Sequence, residues 1–267
     1  MRITRLGLQF SDRKGFQDYH EYEFGNGWTM IIAPNGCGKS TIITAIDAAF
    51  GRPMDWNGVQ IEVDFSSEES THKISKKWLD DGKVSLSIGD GQESIEDGMQ
   101  LSNFAPIALS ELYGSKGLHE RLEEISDLFN DSPESIKEMN KMLQMWPRLQ
   151  SEQWKFELVD GNLNLSSPRS RECGQVGFPF AAGERMIIEF ILCLEMSKLS
   201  NSPILIDDWR MRLDSRMLDL IIQMLELCKE SNPRTQIIAT TPDFVWKNGY
   251  ADESYLFEQH IILEENN

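Results

Sequence analysis

An apolar run, Met30-Ile31-Ile32, leads into Ala33-Pro34-Asn35-Gly36-Cys37-Gly38-Lys39-Ser40 and on into the amphipathic stretch Thr41-Ile42-Ile43-Thr44-Ala45-Ile46. A buried strand, a glycine-rich turn and a helix opening on Gly-Lys-Ser is the context that a phosphate-binding P-loop requires. Glycines let successive backbone N–H groups curl around phosphate oxygens, and the helix N-terminus adds partial positive charge. In this arrangement Asn35, Gly36, Cys37, Gly38, Lys39, Ser40 and Thr41 line the phosphates. Lys39 reaches the outer ones and the Ser40 hydroxyl ligates Mg²⁺. Ala33 stands where a first glycine is usual, and so small a residue fits. The expectation is a nucleotide-binding α/β fold.

A chain of 267 residues can build one sizeable α/β domain, or one carrying an inserted lobe. Its 40% hydrophobic residues and seven tryptophans indicate a packed globule. No apolar stretch approaches the ~20 residues that cross a bilayer, and residues 1–5 lead into alternation rather than a secretory signal. A cytoplasmic location without membrane contact is the expectation. Cys37, Cys173, Cys193 and Cys228 form no CxxC pair, and the histidines are scattered, so no zinc or haem motif emerges. Cys193 and Cys228 read as buried free thiols. The formal net charge of −17 opposes tight non-specific binding to DNA, so direct DNA contact is expected to be weak or supplied by a partner. Local basic patches around Arg2, Arg5, Arg13 and Lys14, or around Lys73, Lys76 and Lys77, read more simply as solvated strand faces.

Alternation predicts strands over 2–10 and 20–24 before the P-loop strand. Three further alternating segments, 59–65, 72–79 and 83–88, predict an antiparallel sheet. Leu118, Leu122, Ile125 and Phe129 share a helical face. Ser132-Pro133 caps a second helix carrying Ile136, Met139, Leu143 and Trp146. Its Met139, Met142 and Met145 read as a core stripe, with a partner groove as the alternative. Asp160-Gly161 between 154–159 and 162–166 signals a hairpin. A long buried helix over 183–199, a short strand over 203–206, a helix over 214–230, a strand over 236–239 and a last strand within 255–263 complete the chain.

The strand Ile204-Leu205-Ile206 delivers Asp207-Asp208 at its C-terminal edge, an arrangement that brings a carboxylate near the Mg²⁺ of a P-loop and a second acid near an attacking water. Three further segments stand in fixed order around it. Ala181-Ala182-Gly183-Glu184 opens the long helix, Leu213-Asp214 follows the acids, and Ile237-Ile238-Ala239-Thr240-Thr241-Pro242 is a strand running into a turn.

This succession resembles the ATP-binding-cassette (ABC) ATPases, in their SMC-like, RecF-like and OLD-type branch of AAA family ATPases. The resemblance is firm over residues 1–50 and 178–245 and loose between. It implies an α/β P-loop NTPase of ABC-ATPase type, with a mixed central sheet, an antiparallel β lobe and a helical lobe. The whole of 1–267 would be a single ABC-type domain, with 51–177 the antiparallel lobe and short helical insertion within it. By resemblance, ATP and Mg²⁺ are the ligands, Lys39 and Asp208 are catalytic, and Ser40 and Asp207 hold the metal. Arg13 or Lys14 lies near the phosphates. Ala182, Gly183 and Glu184 form a signature loop that touches ATP on a second copy, with Asp214 at that dimer interface. Gln60, Gln92 and Gln100 all remain open for the Q-loop. Small heads of this type accompany effectors such as nucleases in antiviral defence and DNA repair, so self-association and a protein effector are the implied partners.

Three positions depart from the family pattern. Asp208 stands where Glu is usual and is one methylene shorter, Ala181 replaces the signature serine, and Pro242 takes the place of the switch histidine. A catalytic group misplaced by ~1 Å costs on the order of 100-fold in rate, so slow hydrolysis is expected. A non-hydrolysing ATP-binding scaffold is the second reading, and a P-loop small-molecule kinase the third. The span 51–177 is too short and lacks the heptads for a long coiled coil.

Overall fold

The computed structural model describes residues 1–11, 18–52, 54–66, 70–79, 84–89, 106–108, 118–168, 180–208, 215–242 and 256–263. Their elements group into two compact units.

The first unit has two sheets. β1 (Arg2–Phe10), β2 (His20–Glu23), β4 (Val59–Ser66), β5 (Thr71–Trp78) and β6 (Val84–Ile88) form an antiparallel sheet in the order β2-β1-β4-β5-β6. β3 (Trp28–Ala33), β7 (Ile107–Ala108), β10 (Ile204–Ile206), β11 (Ile237–Pro242) and β12 (Gln259–Ile262) form a parallel sheet in the order β12-β3-β11-β10-β7. The sequence patterns differ accordingly. β4 alternates buried and half-buried residues, whereas β3, β10 and β11 are buried throughout, as strands of a covered parallel sheet must be.

α1 (Lys39–Ala49) contacts β1, β4 and β5 of one sheet and β3 and β11 of the other. Its Ile42, Ile43, Ala45, Ile46 and Ala49 therefore share a core with Leu6, Leu8, Ile61 and Val63 from one side and Ile31, Leu205 and Ile238 from the other. A helix enclosed on both sides cannot show a narrow apolar stripe, which explains its weakly amphipathic sequence. Its C-terminal end meets a cation, since Lys76 Nζ donates to the Ala48 carbonyl at 2.8 Å.

Two glutamine side chains join the sheets in place of ladder bonds. The buried Gln236 accepts from the Ile3 N–H at 2.8 Å and donates to the carbonyls of Ile3 and Gly25 at 2.7 and 2.9 Å. Gln259 accepts from the Gly25 N–H and from Thr29 Oγ1, and donates to the Glu23 carbonyl.

The second unit is helical with one hairpin. It contains α2 (Leu118–Phe129), α3 (Pro133–Leu143), α4 (Pro147–Ser151), β8 (Lys155–Val159), β9 (Asn162–Ser166), α5 (Ala182–Ser200) and α6 (Ser215–Ser231). The hairpin turns on Asp160 and Gly161 at φ 53° and 80°, the pair of positive angles that a two-residue turn matched to strand twist requires. Asn140 of α3 exchanges two hydrogen bonds with the Phe156 backbone, and Ser126 of α2 accepts the Leu163 N–H, which seats the hairpin on the helices. Met139 and Met142 are buried and belong to the core, while Met145 is half-buried.

Several expectations are refined. The antiparallel strands that follow the P-loop continue the sheet of β1 and β2, because β4 pairs with β1 along its whole length. Ser132 stands at the start of α3 but its hydroxyl makes no capping bond; its carbonyl accepts the Ser135 N–H instead. β11 does not stop at Ala239. It runs on through Thr240 and Thr241 to Pro242, because β3 offers Ile31, Ile32 and Ala33 as partners. The two-residue β7 and the single-turn α4 are too short to carry a periodic signal.

Candidate functional site

β3 ends at Ala33, and the five residues that follow turn the chain into α1. Gly36 and Gly38 have φ of 90° and 88°, in the left-handed region where a side chain is strained and glycine is not. A Cβ placed on Gly36 would meet no protein atom within 4 Å, so the space beside this residue is open. Gly38 is the N-cap of α1, provides no side-chain cap, and no acid lies in the first turn. The positive end of the helix is thus left to an external anion. Lys39 is buried, with Nζ donating to the Ala33 and Pro34 carbonyls at 2.9 and 2.8 Å. An ammonium has three donors, so one remains after these two bonds. Ser40 is exposed beside it, and Cys37 is half-buried with a free thiol.

The second part of the site comes from the parallel sheet. β3, β11 and β10 run parallel and adjacent, so the P-loop, the end of β11 and Asp207-Asp208 all emerge at one edge. The C-terminal edge of parallel strands is where ligands bind in open α/β sheets. One strand separates loop from acids, a lateral offset of roughly 10 Å at about 4.8 Å per strand. Asp207 and Asp208 are half-buried, and Asp208 has φ 50°. Thr240 at the end of β11 is fully buried. Its Oγ1 donates to Asp207 Oδ1 at 2.7 Å and accepts the Asp208 N–H at 2.8 Å. The buried Thr241 Oγ1, level with Ile32 of the P-loop strand, has no hydrogen-bond partner.

Nucleotide and Mg²⁺ fit these residues: an open loop of positive-φ glycines, an uncapped helix start, an exposed hydroxyl at Ser40, and a carboxylate at Asp207. Among the described residues no three His, Cys, Asp or Glu side chains form a metal cluster. A Mg²⁺ here would therefore draw its remaining ligands from phosphate oxygens and water, as this ion commonly does.

In the second unit, Ala181 precedes α5, with Ala182, Gly183 and Glu184 in its first turn. Glu184 is 4% exposed. Both its oxygens lie 2.8 Å from Arg148 Nη1, and Oε2 also accepts the Ala181 N–H at 3.0 Å. That last bond is half of a capping box, with alanine where the reciprocal hydroxyl would stand. The Glu184 carboxylate thus holds the helix start together. Gly183 packs against Met217 of α6, whose Sδ would lie 2.6 Å from an added Cβ.

Arg13, Lys14, Asp214, Gln92 and Gln100 lie outside the described residues. Gln60 is in β4 and donates to Glu62 at 3.4 Å. Three of the basic residues that were weighed as patches and read as solvated strand faces have partners within the fold. Arg5 pairs with Asp64 and Glu21 and Lys73 pairs with Glu62, while Lys76 reaches Ala48 and stacks 4.9 Å from the Trp78 ring. Two contributors were not anticipated, the Thr240 hydroxyl and Arg148. Thr240 could be found only by placing β11 between β3 and β10. Arg148 lies 36 residues from its partner and carries no motif. No described helix is long and apolar enough to cross a membrane.

Comparison with known proteins agrees with this geometry. Residues 9–172 match a family model described as an AAA domain. The DNA double-strand break repair Rad50 ATPase of Nanoarchaeum equitans (strain Kin4-M) is 24% identical over 156 residues, which are 52% of this chain and 18% of that protein. The chain thus spans less than a fifth of the length of the curated relative it matches. The SMC head domain from Thermotoga maritima superposes with a TM-score of 0.56 at 16% identity, over 97% of this chain and 94% of that one. An SMC head bound to the C-terminal winged-helix domain of ScpA gives 0.62 at 18% identity, over 91% and 90%. The recombination mediator protein RecF with ATP gives 0.53 at 12% identity, over 90% and 92%. At these identities the likeness is one of fold. With more than half of its length matched, the chain belongs to the AAA domain family, and its fold is that of the SMC- and RecF-like ABC-type ATPase heads.

Proposed function

We propose that this chain is an ABC-type ATPase head that binds ATP with Mg²⁺, hydrolyses it slowly, and self-associates around it to control a partner. The observation that carries this reading is the shared edge of β3, β11 and β10, where the P-loop and Asp207-Asp208 emerge with one strand between them. Asn35 to Thr41 supply backbone N–H groups and the helix end to the phosphates. Lys39 turns a donor from its own loop toward them, and Ser40 and Asp207 hold the cation. Mg²⁺, when bound, neutralises phosphate charge. Asp208 orients the attacking water, and its shorter side chain limits the rate. Ala182 and Gly183 present the α5 N-terminus to nucleotide on a second copy, with Asp214 at that interface; Arg13 belongs near the phosphates.

The Rad50 likeness supports work in DNA repair or maintenance. The ScpA-bound SMC head supports the use of such heads as protein-docking platforms. An effector such as a nuclease, in repair or in OLD-like antiviral defence, is the partner class this reading favours. The −17 charge and the paired state of Arg5 and Lys73 favour DNA contact through that partner. The test is self-association followed by light scattering. ATP should drive it and Lys39→Ala should abolish it; a wild type that stays monomeric in saturating Mg-ATP refutes the reading.

A second reading, an ATP-binding scaffold without hydrolysis, is favoured by the left-handed turn at Asp208 and by Ala181 and Pro242. Single-turnover measurements separate the two. Hydrolysis lost on Asp208→Asn rejects the scaffold.

A further inference from the structure

Thr240 makes two bonds to the acidic pair, and both run through one atom. Its Oγ1 donates its single proton to Asp207 Oδ1 and receives the N–H of Asp208. The residue is 0% exposed, so water does not replace either bond. Among the described residues Asp207 makes no other hydrogen bond and no ion pair with an arginine or lysine. Asp208 stands at φ 50°, a conformation that a side-chain-bearing residue keeps only when its surroundings hold it.

We infer that Thr240 is a positioning residue for the metal, its hydroxyl clamping Oδ1 of Asp207 so that Oδ2 is presented to the cation. The same hydroxyl pins the turn that aims Asp208. A carboxylate whose one oxygen is already a hydrogen-bond acceptor has lost its rotation about the terminal torsion. It meets the cation without further ordering, which is the advantage of a preorganised ligand. Register makes this specific to Thr240. Asp207 follows Ile206, which pairs with Ala239, so the next residue along β11 is level with the acid. Thr241 projects to the opposite face of the strand.

The inference rests on the proposed Mg-ATP site, and its test is binding rather than turnover. A fluorescent ATP analogue is titrated with excess Mg²⁺ and again with EDTA, and the ratio of the two affinities is read. Thr240→Val keeps the volume and removes the hydroxyl. It should leave metal-free affinity within about twofold while cutting the Mg²⁺ enhancement roughly tenfold, the loss expected for a ligand-orienting partner. Asp207→Asn should lose the enhancement likewise, and Thr240→Ser should restore most of it. If Thr240→Val does not fold, Thr240→Cys, a much weaker donor, takes its place with the same outcomes. An enhancement equal to wild type in the hydroxyl-less variant overturns the inference, as does a serine variant no better than valine. A wild type that binds no nucleotide in either buffer refutes the proposed function itself, and the inference falls with it.

Discussion

Arg148 Nη1 lies 2.8 Å from both carboxylate oxygens of Glu184, and the same carboxylate receives the backbone N–H of Ala181. The first turn of α5 is therefore tied by one buried acid to a residue of α4, an element without any recognisable motif. Glu184→Ala should cost about 1 kcal/mol through loss of the cap bond, and should speed amide exchange in that turn. Arg148→Ala should speed the same amides, because it leaves a carboxylate that is 4% exposed without its cation. Unchanged exchange at residues 182–185 in both variants would contradict this account.

Gly36 separates backbone conformation from crowding. An alanine there meets no atom within 4 Å but must adopt φ 90°. The expected strain is about 1–2 kcal/mol, relieved by a change of loop shape. Gly36→Ala should weaken nucleotide binding at least tenfold with little change in melting temperature. Calorimetric titration beside thermal melting reads both quantities.

Asp208 offers the reverse experiment. Glycine accepts φ 50° freely, whereas alanine does not. Asp208→Gly should be more stable than Asp208→Ala by about 1 kcal/mol, while neither hydrolyses ATP. Chemical denaturation of the two variants measures the difference.

Acid stability should report on Glu62. Burial alone would raise its carboxyl, but hydrogen bonds from Lys73 and Tyr19, with the charges of Lys73 and Arg5, outweigh it and hold it below the ordinary 4.5. A carboxyl with a lowered folded-state value stabilises the fold above its unfolded value, and that stabilisation disappears as pH falls through the folded one. Wild type should lose stability between about pH 5 and the depressed value, and Glu62→Gln should flatten that limb. Melting temperatures across pH 3–7 give the comparison, and parallel curves for the two proteins would count against it.

Gln236→Leu should be the most damaging of these substitutions. It leaves the Ile3 N–H and the carbonyls of Ile3 and Gly25 without the amide that pairs them. At about 1–3 kcal/mol for each of the two buried Ile3 groups left unmade, a loss of roughly 2–6 kcal/mol is expected. Urea denaturation should show it as an earlier midpoint.

The P-loop and the acidic pair were readable because their chemistry is local. Gly36, Gly38, Lys39 and Ser40 are contiguous, and Asp207-Asp208 follow directly on an apolar strand. Their meeting was legible only through the motif order and the resemblance it carries; that β11 lies between them was not, because strand order leaves no mark on strand composition. Thr240 looked like a turn residue for the same reason. The pairing of Glu184 with Arg148, 36 residues away, leaves no local mark in the sequence either. The extent of the antiparallel sheet was hidden as well. β1 and β4 are separated by the P-loop and α1, and nothing in their alternation tells which strand each one pairs with.

β11 begins directly after Gln236 and carries Thr240 near its other end. Four residues of extended chain measure about 13 Å and do not stretch. This strand is consequently a push-rod of fixed length between the amide that closes the two sheets and the hydroxyl that aims a carboxylate. On the proposed Mg-ATP site, a displacement of the Gln236 amide would therefore arrive undiminished at the hydroxyl beside Asp207.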